Sequence, residues 1–407
     1  MRRPPTFPVV LAGSAAFLDL YATQPLLPLL ARTFRASTFD VGLTVTAPTI
    51  AVALSAPLIG RLADRAGLRR VIVGSAFLLA VATALAATAV SLRQLIMWRF
   101  VQGLATPGIF AGTVAYIHEE WPAARAGRAT AAYMTGTIIG GFTGRVVAGL
   151  VAADVNWHAS FIALAILNLA LASALFAWLP PERSVRSAGL SGPRSAALKG
   201  PPYTAARDVV HLFQNRQLVA TFAIGFCVLF TQVAMFTYVT FHLAAPPFRL
   251  STAALGWLFA VYLVGVVMTP FGGRWIDRYG HRIGLAAAMG MGAAGALLTL
   301  TPWLPVVAAG LALCSTGVFI AQASTSSYIG AVTTRDRALA VGMYSTFYYI
   351  GGSVGGAVPA ALWNVGEWKA CVALIVTVQM TGVAIALTFW RRHREAVTNV
   401  APWASPS

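Results

Sequence analysis

Three ionisable residues lie inside long apolar stretches, Asp19 in the first, Arg99 in the fourth and Arg145 in the fifth. A charge at the centre of a membrane-spanning helix costs roughly 2.5–3.5 kcal/mol on insertion scales, so each is expected to have a partner or a task. Asp19 is the candidate for exchanging protons. Burial opposes ionisation of a carboxylate and a nearby cation favours it; in balance, the two leave the group able to titrate near physiological pH. The structural alternative is a permanently ionised Asp19 that ties helices together through Arg99 and hydroxyls such as Thr23. Arg99 cannot give up its proton, so it is expected to tune Asp19 or hold an anionic group, with a purely structural ion pair as the alternative. Spacings of three and four put Arg99, Gln102 and Gly103 on one helix face. Arg145 either reaches inward to a cavity or snorkels to lipid headgroups.

Neutral polar and aromatic residues are expected to complete a cavity. Tyr21 and Gln24 follow Asp19, and Thr231, Met235, Tyr238 and His242 share a face of the seventh stretch with Gln232 and Phe236 adjacent. Gln322 and Ser326 fall in a polar run of the tenth stretch, and Tyr348 and Tyr349 in the eleventh. Such side chains also serve as hydrogen-bonding glue between helices, and His242 is expected at an interface rather than on a proton path. No catalytic residue, metal site or cofactor is expected. His118-Glu119-Glu120 lacks the second His of a zinc helix, and no glycine-rich phosphate loop occurs. Cys227, Cys314 and Cys371 sit in apolar segments without ligand spacing. An ion gradient, with protons as the coupling ion, or the solute's own gradient is then the energy source.

The elements that must position these residues are membrane helices. The chain has 407 residues, of which 58% are hydrophobic and 10% charged. Its mean hydropathy is +0.73. A soluble domain is roughly a quarter charged, so a soluble enzyme is excluded. Apolar runs near the ~20 residues needed to cross a bilayer place spans at about 7–31, 41–60, 71–91, 94–117, 128–153, 158–179, 217–243, 253–272, 283–301, 304–330, 338–362 and 370–390. The net charge of +17 is spread over short loops, which argues against a nucleic-acid partner. With both termini inside, 22 of the 29 Lys and Arg residues fall on the cytoplasmic side and five on the other, a strong positive-inside bias. Residues 180–216, rich in Pro, Ser, Gly and Arg, read as a cytoplasmic linker between bundles 1–179 and 217–390, with 391–407 a cytoplasmic tail.

The two bundles repeat each other. Gly60-Arg61-Leu62-Ala63-Asp64-Arg65-Ala66-Gly67 recurs 213 positions later as Gly273-Arg274-Trp275-Ile276-Asp277-Arg278-Tyr279-Gly280. Gly140, Gly141, Gly144 and Trp157 recur 211 positions later as Gly351, Gly352, Gly355 and Trp368. Two motifs at nearly equal offsets point to a parallel duplication, with a pseudo-twofold axis along the membrane normal. With Gly136, the four-residue glycine spacings are expected to let helices approach closely.

On these residues the chain resembles the major facilitator superfamily over essentially its whole length. The paired Gly-x-x-x-Asp-Arg-x-Gly loops are the family's most specific signature, and Arg99-Phe100-Val101-Gln102-Gly103 resembles its Arg-x-x-Gln-Gly motif. Residues 19–28 resemble the drug/proton-antiporter side of the family, in particular its YnfM-like branch. The resemblance implies an all-α fold of twelve transmembrane helices in two pseudo-symmetric six-helix bundles, a monomer in a bacterial-type inner membrane. It implies alternating access around a cavity lined by spans 1, 4, 7 and 10, with proton-coupled efflux of small organic solutes. Uptake or exchange of an organic anion or zwitterion is the alternative. The resemblance also implies a gate in which Asp64 faces the start of span 11 near Arg337, and Asp277 the start of span 5 near Arg128. The sequence departs from the family at Leu68 and His281, where Arg is usual, and in the span 5 motif Gly-x-x-x-Gly-Pro-x-x-Gly-Gly. That frame here ends Gly140-Gly141-x-x-Gly144-Arg145, and the counterpart of Arg145 in the second bundle is Gly356, so packing alone does not call for a cation.

Overall fold

The computed structural model describes residues 6–182, 212–333 and 337–390. Most of the expected linker, the tail after Trp390 and Arg335 lie outside the described residues, as does the side chain of Arg337. Every regular element described is helical, and among the described residues nine helices are long and apolar enough to cross a membrane on length and composition alone. Spans 2 to 7 are Thr38–Ala66, Leu68–Ala86, Leu92–Glu120, Ala123–Asp154, Trp157–Trp178 and Arg216–Ala244. Spans 9 to 11 are His281–Leu298, Leu304–Val332 and Arg337–Ala357. Pro359–Phe389 carries non-helical backbone at Gly366 and Glu367, so its first residues prolong span 11 and the stretch from Trp368 is span 12.

Two spans that the sequence reads as continuous are broken. Span 1 runs Phe7–Leu18, turns at residues 19–23, makes a 3-10 turn over Gln24–Leu26 and resumes at Leu27–Phe34. Pro25 causes the break, because it has no N–H for the Tyr21 carbonyl and its ring opposes an α-helical approach to that turn. The Gln24 N–H bonds instead to Tyr21 O at 3.1 Å, which releases the carbonyl of Leu20. Span 8 is divided at Phe259 and Ala260 into Thr252–Leu258 and Val261–Tyr279.

The repeat read from the sequence is a repeat of helix pairs. Spans 1 and 5, 2 and 4, 3 and 4, and 3 and 6 pack together, as do 7 and 11, 8 and 10, 9 and 10, and 9 and 12. Lipid is as apolar as leucine, so close van der Waals packing of small residues holds such pairs. A methyl group on Gly136, Gly140 or Gly144 would lie 2.1, 2.2 or 1.8 Å from the carbonyl oxygens of Val10, Ser14 and Leu18. Gly351 and Gly355 approach Phe226 O and Phe230 O in the same way, at 2.2 and 2.5 Å. Gly141 differs, since its nearest neighbour would be the Arg145 guanidinium at 3.2 Å.

The motif loops also match. Gly67 and Gly280, each closing one helix and starting the next, have φ of +88° and +84°, values that favour glycine. Arg69 donates to the carbonyls of Leu179 and Phe176, each at 2.7 Å, and its counterpart Arg282 donates to Leu387 O. Each cation thus sits on the C-terminal end of the last helix of its half, where free carbonyls and the dipole favour it.

The halves meet near one membrane face, the far face, opposite the start of span 1 and the end of span 12. There span 2 crosses span 11 and span 5 crosses span 8. A methyl on Gly42 would lie 2.7 Å from Gly356 O, and one on Gly256 would lie 2.9 Å from Arg145 O. These contacts are equivalent under the pseudo-twofold axis, so Arg145 occupies the crossing point that Gly356 occupies in the other half. Thr46 Oγ1 donates to Ser353 O at 3.1 Å and Ser353 Oγ to Thr49 Oγ1 at 3.0 Å, which fastens spans 2 and 11.

Candidate functional site: a buried charge network and an aromatic box

The break in span 1 is where the charges assemble. Asp19 is 2% exposed, and its Oδ2 accepts from the Thr83 hydroxyl of span 3 and from Asn168 Nδ2 of span 6, the latter at 2.7 Å. Its Oδ1 has no hydrogen-bond partner. Arg99 is fully buried and does not bond to the Asp19 carboxylate. Its Nη1 donates to the main-chain carbonyl of Asp19 at 2.9 Å and to Gln102 Oε1 at 2.5 Å, its Nη2 to Leu20 O at 2.7 Å, and its Nε to Thr44 O at 3.0 Å. Gln102 Nε2 completes a circuit by donating to Thr83 Oγ1 at 2.8 Å. The carbonyls that Arg99 takes in span 1 are those of the turn ahead of Pro25, so the helix break and the position of the cation have one cause.

Asp19 therefore keeps one oxygen fixed and the other unengaged, with a cation held beside it by neutral acceptors. Thr23, which the sequence offered as a partner for Asp19, has no hydrogen-bond partner. Thr83 and Asn168 take that part. Asn168 was detectable as the one amide in the middle of the apolar span 6, whereas Thr83 was one of many hydroxyls. At equivalent places the second half carries Thr231, Leu311, Cys314 and Gln379, so this network has no charged copy there.

Arg145 is buried at 4% exposure rather than extended toward headgroups. Its Nε donates to Gln24 Oε1 at 2.9 Å and its Nη1 to Gly141 O at 2.6 Å. Gln24 Nε2 continues across the halves to Thr237 Oγ1 of span 7 at 3.2 Å. The guanidinium lies over the rings of Phe259, Tyr262 and Tyr21, 4.6, 5.1 and 5.2 Å from their centroids. A cation over aromatic faces gains about 2 kcal/mol when desolvated. Phe259 lies in the break of span 8 and Tyr262 just beyond it, so that break turns two rings of the second half onto a cation of the first.

The remaining expected residues divide. Phe236 stacks edge-on against Tyr262 at 4.5 Å, and Tyr348 lies within electrostatic reach of Tyr21, Tyr262, Tyr344 and Tyr349. Gln232, Gln322 and Tyr348 are half-buried, and Ser326 is exposed. Tyr238 is fully buried and its hydroxyl donates to Gly356 O at 2.9 Å, which braces span 7 on span 11, the hydrogen-bonding alternative for such side chains. The central patch is drawn from spans 1, 5, 7, 8 and 11, with span 4 reaching it through Phe110 against Tyr349 at 5.9 Å. His242 stacks on Trp368 at 5.6 Å.

On the face opposite the helix crossings, Gly60, Asp64 and Arg65 fall in the last turns of span 2, with Gly67 at its cap. Gly273, Asp277 and Arg278 end span 8 in the same way, with Gly280 at its cap. Asp64, Asp277 and Arg128 are exposed, and the side chain of Arg337, expected near Asp64, lies outside the described residues. The described contacts between the halves thus gather at the far face.

Comparison with known proteins agrees with this architecture. The family model described as Major Facilitator Superfamily matches residues 9–251 and 241–406. The MFS-type transporter YybF of Bacillus subtilis (strain 168) is 33% identical over 372 residues, 91% of this chain and 89% of that one. The inner membrane transport protein YnfM of Escherichia coli (strain K12) is 29% identical over 94% of this chain and 89% of its own. In fold, the chain is similar to a bacterial homolog of the human lysosomal transporter Spinster in an inward-facing, occupied conformation, with a TM-score of 0.75, 16% identity and 99% and 98% coverage. The nucleoside transporter NupG is similar at a TM-score of 0.72 and 15% identity, over 95% of this chain and all of that one.

Proposed function

The chain belongs to the Major Facilitator Superfamily, and on that premise we propose that it exports small organic solutes by alternating access, driven by protons taken up and released at Asp19. The observation that carries the coupling is the Asp19 carboxylate, sealed from water, with Oδ2 fixed by Thr83 and Asn168 and Oδ1 unpartnered. A proton on Oδ1 leaves both existing bonds intact. Protonation also removes the negative charge beside Arg99, whose bonds to Asp19 O and Leu20 O hold the broken turn of span 1. A change of charge at one carboxylate is thereby linked to the helix that meets the second half through Gln24 and Thr237.

The membrane orientation in this reading follows the bias of basic loops, with both termini and the Asp64 and Asp277 loops in the cytoplasm. The described state, latched at the far face, is then open to the cytoplasm and ready to load solute for export. The protein acts as a monomer, since each half supplies the other's partner helices.

Purified protein in liposomes with an internal pH dye tests the coupling. Solute addition moves protons with the native protein, and Asp19→Asn abolishes this while the folded fraction is unchanged. Normal proton movement with Asp19→Asn sinks the assignment. Whole-cell accumulation separates export, which lowers internal solute, from uptake, which raises it.

A further inference from the structure

Arg99 and Arg145 are both buried cations, yet their surroundings differ in charge. Arg99 is balanced by Asp19, the carboxylate that acts on it. The guanidinium of Arg145 lies over the phenol rings of Tyr262 and Tyr21, and among the described residues it hydrogen-bonds to no carboxylate. Its bonds go to a neutral amide and a peptide carbonyl. Removing an ion from water is costly, and neutral partners offset that cost only in part. The packing does not require that cost, because the equivalent crossing point in the other half is filled by Gly356. With Asp19 ionised, Asp19, Arg99 and Arg145 leave one positive charge in excess among the buried groups described.

The surroundings show what shape would complement that charge. Tyr21 and Tyr262 flank the guanidinium, and Tyr348 and Tyr349 of span 11 pack edge-on against each other at 5.6 Å. The Tyr133 hydroxyl is buried without a hydrogen-bond partner, as are those of Thr23 and Thr231. Flat faces and a planar two-pronged donor meet between spans of both halves, where the two bundles separate during alternating access. A guanidinium pairs with a carboxylate through two parallel bonds, and rings offset-stack on a planar skeleton.

We propose that the solute is an organic anion with a planar unsaturated skeleton, and that Arg145 is the counter-charge that recognises it. This rests on the transport reading and gives that reading a substrate class. The aromatic box holds Arg145 while the far side is shut, and the solute's anionic group takes the place of Gln24 and Gly141 as its partner when the halves part. A cationic solute is repelled by the same excess charge.

The test uses purified full-length protein in detergent, with thermal stability as the readout and matched pairs as probes: benzoate with benzamide, salicylate with salicylamide, indole-3-acetate with indole-3-acetamide, and benzylamine as a cation. At least one carboxylate raises the Tm while its amide and benzylamine do not. In Arg145→Gly the concentration giving half the maximal shift rises at least ten-fold. Glycine is what the equivalent crossing carries, so this variant is expected to fold. Arg145→Lys keeps the charge without the fork and retains the preference for the acid over the amide at weaker affinity. Equal shifts with acid and amide, a shift with benzylamine, no shift with any carboxylate, or unchanged affinity in both variants overturns the assignment. Binding is read without a gradient, so failure of the Asp19 proton assay leaves this result standing, and failure here leaves that assay untouched.

Discussion

Asn168 donates to Asp19 Oδ2 at 2.7 Å from a helix 149 positions further along the chain, and Thr83 donates to the same oxygen from a third helix. Both bonds stabilise the ionised carboxylate, so losing either favours its protonated form. Asn168→Ala and Thr83→Val therefore move the midpoint of the pH–transport profile upward. A hydrogen bond to a charged group is worth about 1.5–3 kcal/mol, and about 1.4 kcal/mol corresponds to one pH unit. A rise of about one unit is expected for each variant, measured as initial flux in liposomes at a series of external pH values. A profile that stays in place, or moves down, removes these residues from the coupling site. Asp19→Asn should leave no titration to move.

Much of this arrangement was legible in the sequence, because a charge in a membrane helix and a repeated loop are rare enough to stand out. Asp19, Arg99 and Arg145, the paired Asp-Arg loops and the glycine faces all announce themselves by residue type and spacing. What escaped was the set of neutral partners. Thr83 and Asn168 lie 64 and 149 positions from Asp19, and periodicity within a helix gives no information about which faces of different helices converge. The breaks at residues 19–23 and at Phe259 escaped for a related reason, since an apolar run keeps its hydropathy when its hydrogen bonds change. Tyr238 shares a face with polar residues, and its bond to Gly356 O is a pairing between helices that the face alone does not reveal.

The contact of spans 1 and 5 leaves no room for a side chain. Gly144→Val and Gly140→Leu place atoms against the Leu18 and Ser14 carbonyls, where even a methyl would stand at 1.8 and 2.2 Å. Overpacking of this kind costs about 1–3 kcal/mol or more. Both variants should lower the Tm of purified protein and reduce the folded yield. Gly74, which has nothing within 4 Å of a would-be methyl, supplies the control in the same membrane setting. Gly74→Ala should keep or slightly raise the Tm. Equal tolerance of all three changes would contradict the packing.

Spans 2 and 11 meet where Ser353 Oγ lies 3.0 Å from Thr49 Oγ1. Replacing both by cysteine puts two thiols at a contact that must separate for the far side to open. Oxidation of Thr49→Cys/Ser353→Cys should cross-link the halves, seen as a mobility shift after cleavage of an engineered protease site between them, and should stop flux. Reductant should restore it. Undiminished flux in the cross-linked protein would mean that this contact persists through the cycle.

Proton-driven export of an anion has an electrical signature. One proton entering and one anion leaving both carry positive charge inward, so an inside-negative potential assists each movement by about 2.3 kcal/mol per charge for every 100 mV. Anion uptake with a proton carries no net charge and gains nothing from the potential. In right-side-out vesicles loaded with a carboxylate that stabilises the purified protein, a valinomycin-imposed inside-negative potential should therefore speed efflux at constant pH gradient. An inside-positive potential should slow it. The excess charge at Arg145 makes the sign of this response informative, because a cationic solute exchanged for a proton would be electroneutral and insensitive. Acceleration supports both the export direction and the anionic class, whereas insensitivity would reverse one of them, and the carboxylate-dependent Tm shift of Arg145→Gly would say which.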